Sequence, residues 1–206
     1  GFGPVRWMKD SRGYSTVEVN REAGGSEIIR YDAETGARTV LVAAKQLTPN
    51  GAKSPLRIDD YIWSDDNTQL LVFTNTKKVW RYNTRGDYWI LNLRSGNLQQ
   101  LGKNLEPSTL MFAKFSPDGT RAGYVSKQNI YIEDIATGKI TQITTDGGGN
   151  IINGTFDWVY EEELDCRDGF RWSPDGKTIA YWQSDTKNIG TFYLIDNVSD
   201  IYSKPI

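Results

Sequence analysis

Short apolar runs separated by polar turns occupy almost the whole chain. Ser15–Asn20 alternates in and out, Ile28–Tyr31 is a second run, and Thr39–Val42 a third. Tyr61–Trp63, Leu70–Thr74, Tyr88–Leu93 and Leu98–Leu101 follow. Ala113–Phe115, Ala122–Val125, Asn129–Asp134 and Ile140–Thr144 continue the pattern, as do Thr178–Trp182 and Phe192–Ile195. Runs of this length, rich in β-branched and aromatic residues and bounded by Gly, Pro, Asn and Asp, predict strands. Residues 1–13 show no periodicity and read as a lead-in, with Trp7 and Met8 packing on the domain edge. Residues 43–55 carry two prolines and read as a connecting loop. Lys77–Asp87 is polar, with Val79–Tyr82 embedded in it.

The runs repeat. Trp63-Ser64, Phe115-Ser116 and Trp172-Ser173 each begin an aromatic-Ser-x-Asp turn, 52 residues apart from Ser64 to Ser116 and 57 from Ser116 to Ser173. Two of the three read Ser-Pro-Asp-Gly, in which Pro pre-sets φ, Asp bonds its own backbone and Gly takes the left-handed position. Asp65, Asp66, Asp118 and Asp175 are therefore expected to form turns rather than bind metal. Trp63, Phe115 and Trp172 are expected in the core. Each copy supplies about four strands, and one four-stranded antiparallel sheet cannot bury both faces alone. Stacking the copies around an axis buries them, which predicts an all-β β-propeller of about four blades rather than a β-sandwich. Four blades would close only the smallest ring. The last copy stops mid-pattern, which predicts a piece of a larger one.

One stretch departs from the pattern. Asp157-Trp158-Val159-Tyr160-Glu161-Glu162-Glu163 sets three carboxylates in a row, which no strand alternation accommodates. Clustered acids behind two large aromatics fit a pocket for a cationic group. They fit a solvated acidic turn as well.

Composition narrows the chemistry. The 206 residues carry 24 basic and 26 acidic side chains, a net charge of −2, with no basic footprint for nucleic acid. No apolar run reaches the length of a membrane span, and no leader segment is visible. There is no histidine, which excludes Ser-His-Asp and Cys-His catalysis within this chain and disfavours zinc. Cys166 is the single cysteine, so no internal disulfide forms, and without a histidine base it reads as structural or incidental. No cofactor motif occurs.

The acidic stretch, followed by Phe170-Arg171-Trp172-Ser173-Pro174-Asp175-Gly176, closely resembles the N-terminal propeller of the dipeptidyl peptidase IV family, in the prolyl oligopeptidase group of serine peptidases. Lys78-Val79-Trp80-Arg81-Tyr82, followed by Tyr88-Trp89-Ile90-Leu91, resembles the arginine loop of the same family. The order and separation of the two motifs also match. The resemblance is clear from about Arg57 to Trp182. Its Asp-Trp-Val-Tyr-Glu-Glu-Glu string is specific, whereas the Ser-Pro-Asp-Gly turns are generic to propellers.

The resemblance implies an eight-bladed propeller followed by an α/β-hydrolase domain, with residues 1–206 a partial N-terminal propeller and the hydrolase absent from this chain. It implies release of Xaa-Pro and Xaa-Ala dipeptides from peptides with a free N-terminus. Glu162 and Glu163 would hold the substrate amine, and Arg81 would contact a substrate carbonyl oxygen. Glu161 is expected to be a structural neighbour, with Trp158 and Tyr160 bracing the segment. The expected partners are peptide substrates and the missing hydrolase domain, with a homodimer compatible with the intact protein, and the expected location is periplasmic, secreted or at the cell surface. Two other readings stay open at this point: a non-catalytic propeller that binds peptide or protein, and a tripeptidyl relative, against which the Glu pair and Arg81 argue.

Overall fold

The computed structural model describes residues 3–190, 193–196, 198–199, 202 and 204–205. Strands β1 (Arg6–Trp7), β2 (Gly13–Asn20), β3 (Gly25–Asp32) and β4 (Arg38–Val42) form one four-stranded antiparallel sheet in chain order. A second blade follows, with β5 (Asp60–Trp63), β6 (Gln69–Val79), β7 (Tyr82–Asn92) and β8 (Leu98–Gln100). The third contains β9 (Leu110–Phe115), β10 (Arg121–Ser126), β11 (Asn129–Asp134) and β12 (Ile140–Gln142). The fourth copy is built from β13 (Ile151–Asn153), β14 (Phe170–Trp172), β15 (Ile179–Tyr181) and β16 (Gln183–Asp185), paired β13 with β16 and β14 with β15. These are propeller blades, as the repeat predicts.

Strand alternation explains why the blades stack. Leu70 and Val72 of β6 lie on one face by period two, and Leu71 on the other.

 In the structure, Leu70, Val72 and Leu91 pack with Ile28, Val42 and Tyr61 between the first and second blades. Leu71 and Ile90, one residue away on the same strands, pack with Leu110, Ala122 and Tyr124 between the second and third. Val125, Ile130 and Phe170 join the third blade to the fourth. Each fully buried aliphatic or aromatic side chain contributes roughly 1.5–3 kcal/mol, so the seams between blades hold the fold. Trp63 and Phe115 are half-buried on these seams, as is Trp172, whose ring lies 5.1 Å from the Arg121 guanidinium.

The repeated turns form as expected. Ser64, Ser116 and Ser173 donate from Oγ to Asp66, Asp118 and Asp175 at 2.7, 2.6 and 2.6 Å. Gly119 and Gly176 take φ of +68° and +67°, and Asn67 holds the equivalent place at +56°. Asp65 stands in the same hydrogen-bonded turn, Ser64–Asn67, where the other two copies have proline, and its exposed side chain pairs with Lys9 at 3.0 Å. The turns also tie neighbouring blades. Gln69, five residues after Ser64, donates to the Gly119 carbonyl at 2.8 Å. Arg121, five after Ser116, donates to the Gly176 carbonyl at 2.6 Å.

Asp118→Ala is expected to cost about 1 kcal/mol at neutral pH, the net value of its turn hydrogen bonds. The Ser116 hydroxyl, helped by the Thr120 backbone, holds the Asp118 carboxyl down to about 2. A depressed carboxylate stabilises above its unfolded value and loses that contribution as pH falls through the folded one. The difference between wild type and variant in urea midpoint should therefore be full at pH 7 and shrink as pH approaches 2.

Three segments differ from the sequence reading. Residues 1–13 are not merely a lead-in, since Arg6 and Trp7 pair with Ser15 and Tyr14 as an edge strand. Trp7 stays exposed, edge-on to Tyr14, and Met8 is half-buried. Residues 43–55 contain a short 3-10 helix, Ala44–Leu47, whose Leu47 enters the first core cluster. Lys77–Asp87 is the far half of a long hairpin, continuing β6 to Val79 and starting β7 at Tyr82. Its polar residues follow from its position beyond the packed part of the sheet. Of the expected strand Phe192–Ile195, Phe192 lies outside the described residues. Among the described residues, no helix is long and apolar enough to cross a membrane.

Candidate functional site

The acidic stretch is an α-helix, α1 (Trp158–Leu164). Asp157 caps it, its Oδ1 accepting from the Tyr160 backbone N–H at 3.0 Å. Asp165 ends it in the left-handed conformation, and the Cys166 N–H returns to the Tyr160 carbonyl at 3.1 Å. The acidic run thus forms neither a strand nor an irregular turn, because cap residues of the right type stand at both ends. Tyr160 stacks on Phe156 with ring centroids 5.5 Å apart, while the Trp158 ring is half-exposed. Cys166 is free and half-buried.

The helix is an insertion in the fourth blade, pinned where it leaves and returns. Gly154 N–H donates to the Trp182 carbonyl, Gly169 N–H to the Gly154 carbonyl and Trp182 N–H to the Gly169 carbonyl, at 2.9, 3.0 and 2.9 Å. Thr155 and Asp168 form a bridge beside them. Lys114 of β9 reaches across from the third blade, donating to both carboxylate oxygens of Asp168 and to the Phe170 carbonyl at 2.5, 2.7 and 2.8 Å.

Helical geometry separates the three glutamates, since successive residues turn by about 100°. Glu161 is buried, the Glu162 side chain is 9% exposed, and Glu163 is exposed. Burial, reinforced by the neighbouring Glu162 charge, raises the Glu161 pKa against the opposing pull of Arg167.

Arg81 comes from a different blade. It sits at the tip of the β6–β7 hairpin, where Trp80 takes a φ of +55° and Val79 pairs with Tyr82 across a two-residue turn. Its Nε lies 2.5 Å from Glu162 Oε2. The structure therefore brings Arg81 and Glu162 together. Glu163 makes no ion pair with Arg81 among the described residues. Glu162 Oε1 is buried with no hydrogen-bond partner, and so is Glu161 Oε1.

Arg167 is the residue that the sequence reading passed over. Its Nη1 lies 2.6 Å from Asp165 Oδ1, its Nε 3.6 Å from Glu161 Oε1, and its guanidinium carbon 3.9 Å from the Tyr82 ring centroid. A lone arginine after a helix carries no pattern, and only the left-handed turn at Asp165 sends it back over the helix.

A cavity of about 540 Å³ opens beside the pair, lined by Lys77, Trp80, Phe112, Phe156, Glu161 and Arg167 among others. Arg81, Glu162 and Glu163 are not part of its lining. We place the candidate site at the Arg81–Glu162 pair rather than in this cavity, because the pair combines opposite charges from two blades with an acceptor oxygen left without a partner.

Residues 64–206 match the family described as "Dipeptidyl peptidase IV (DPP IV) N-terminal region". The chain is 31% identical to "Dipeptidyl aminopeptidase B" of Saccharomyces cerevisiae over 98% of its own length and 25% of that protein's. It is 30% identical to "Probable dipeptidyl-aminopeptidase B" of Arthroderma gypseum over 100% of its length and 21% of that protein's. In three dimensions it matches the crystal structure of Porphyromonas gingivalis dipeptidyl peptidase 4 with a TM-score of 0.81 at 26% identity, covering 100% of this chain and 28% of that one. The chain spans about a quarter of the length of these curated relatives.

Proposed function

We propose that this chain, which belongs to the dipeptidyl peptidase IV N-terminal region family, is the substrate-gating part of a serine exopeptidase that releases Xaa-Pro and Xaa-Ala dipeptides. The nucleophile and its base would lie on a hydrolase domain outside these residues, as the absence of histidine here requires. One observation carries the reading. Glu162 holds Arg81 with one carboxylate oxygen and keeps the other buried and without a partner.

A peptide's terminal amine has a pKa of about 8, so much of it is an ammonium at neutral pH. The ammonium donates to Glu162 Oε1, which has no other donor, and Glu163 at the exposed side of the helix supplies a second acceptor. Such charge-assisted bonds are shorter and stronger than neutral ones. Arg81, anchored on Glu162 Oε2, has guanidinium N–H groups left to donate to a substrate carbonyl oxygen and orient the scissile bond. Two extended residues span about 7 Å, so an amine fixed here sets which peptide bond reaches the nucleophile. A blocked or extended N-terminus does not fit, and the product is a dipeptide.

The full-length protein should hydrolyse an Xaa-Pro chromogenic amide with a free amine and leave its N-acetylated counterpart intact. Equal hydrolysis of the two would remove the amine site from the account. Binding of the free-amine peptide without hydrolysis would make the chain a non-catalytic peptide-binding propeller.

A further inference from the structure

We propose that Arg167 is a positioning residue, a clamp that holds the arginine-bearing hairpin tip against α1 and thereby sets Arg81 on Glu162. This rests on the amine-site reading above for its effect on substrate, though not for the clamp itself.

The hairpin tip has little else to hold it. The pairing of β6 with β7 shifts register between Thr74 and Lys77 and again between Lys77 and Val79, so the ladder is broken before the tip. Trp80 and Tyr82, on either side of Arg81, are about half-exposed. The Arg81 side chain is itself 72% exposed, and a single exposed ion pair is a weak tether.

Arg167 supplies a second tie from the helix side. Its side chain is only 20% exposed, and its guanidinium makes three contacts at once. It pairs with Asp165 at the helix end, lies beside the buried Glu161 carboxylate, and covers the face of the Tyr82 ring. Two of these partners belong to α1 or its C-terminal cap, and the third is the residue next to Arg81. A planar cation can satisfy a carboxylate in its plane and an aromatic ring on its face together, which an ammonium cannot do as well. The contact to Glu161 also balances a buried negative charge directly beside Glu162. The arrangement crosses from the fourth blade to the second, so it joins the two elements that carry the amine-site residues.

The test uses the full-length protein and two independent readouts. Arg167→Ala should speed backbone hydrogen exchange at residues 80–84 by about tenfold. It should also raise KM for a free-amine Xaa-Pro amide by about tenfold while leaving kcat within about twofold. Arg167→Lys should recover less than half of either effect. Tyr82→Ala, a change at a half-exposed tip, should reproduce both, and the double variant should be no worse than the single ones. Unchanged exchange at the tip in Arg167→Ala and Tyr82→Ala would overturn the clamp. Faster exchange without a change in KM would overturn its role in substrate binding. If the wild-type protein cleaves no Xaa-Pro amide, the peptidase reading fails, and the exchange measurement still decides the clamp. If Arg167→Ala does not fold, Tyr82→Ala carries both readouts.

Discussion

Glu162→Gln in the full-length protein is expected to raise KM for free-amine Xaa-Pro substrates by about 10- to 100-fold. The estimate follows from a charge-assisted hydrogen bond, worth about 1.5–3 kcal/mol, at about 1.4 kcal/mol per factor of ten. Glutamine keeps the size and can still accept from Arg81, so the fold and the hairpin should survive. What disappears is the negative charge that the ammonium needs. Glu163→Gln should act in the same direction by a smaller factor, because its side chain is exposed and water already competes for it. Steady-state kinetics on both variants checks the order. An N-acetylated amide, which carries no ammonium, should be left intact by wild type and both variants alike. Unchanged KM in both would remove the glutamates from the amine site.

Gly169→Ala is expected to destabilise the protein by about 3 kcal/mol, at the upper end for a small overpacking change. A Cβ at Gly169 would lie 2.8 Å from the Gly154 carbonyl carbon and 3.0 Å from the Gly154 oxygen and the Thr155 nitrogen. All three are backbone atoms, and no rotamer change relieves the contact. Gly154 cannot retreat, since its own position, at a φ of +72°, already borders Ile130 and Val125 of the third core cluster. The two glycines are the neck of the helix insertion, so the strain should also displace α1 and raise KM. Gly190→Ala is the control, because a Cβ there meets nothing within 4 Å. Urea midpoints of the two variants should differ sharply, and similar midpoints would show that the neck tolerates a side chain.

These two expectations separate what was legible in the chain from what was not. The blades were legible because their cause is local. Alternation along Leu70-Leu71-Val72 assigns neighbouring residues to opposite faces, and the Ser-x-Asp turns set the spacing of the copies whatever lies around them. The helix at Asp157–Asp165 was half legible: three acids in a row excluded a strand, and Asp157 is a cap residue by type. The length of the β6–β7 hairpin was obscured, because polar residues beyond a packed sheet read the same as a loop.

The sequence by itself determined the repeat, the turn chemistry, the lack of histidine and the identities of Arg81 and the glutamates. The tertiary structure alone decided which carboxylates face inward, since that depends on how α1 rolls when its neck is pinned between Gly154 and Gly169. It alone decided that Arg81 meets Glu162 and that Arg167 covers Tyr82. Those contacts join residues about 80 positions apart, from blades that touch only once the sheets have stacked. Local patterning carries no information about such pairs, and burial of the seams between blades is the force that brings them together.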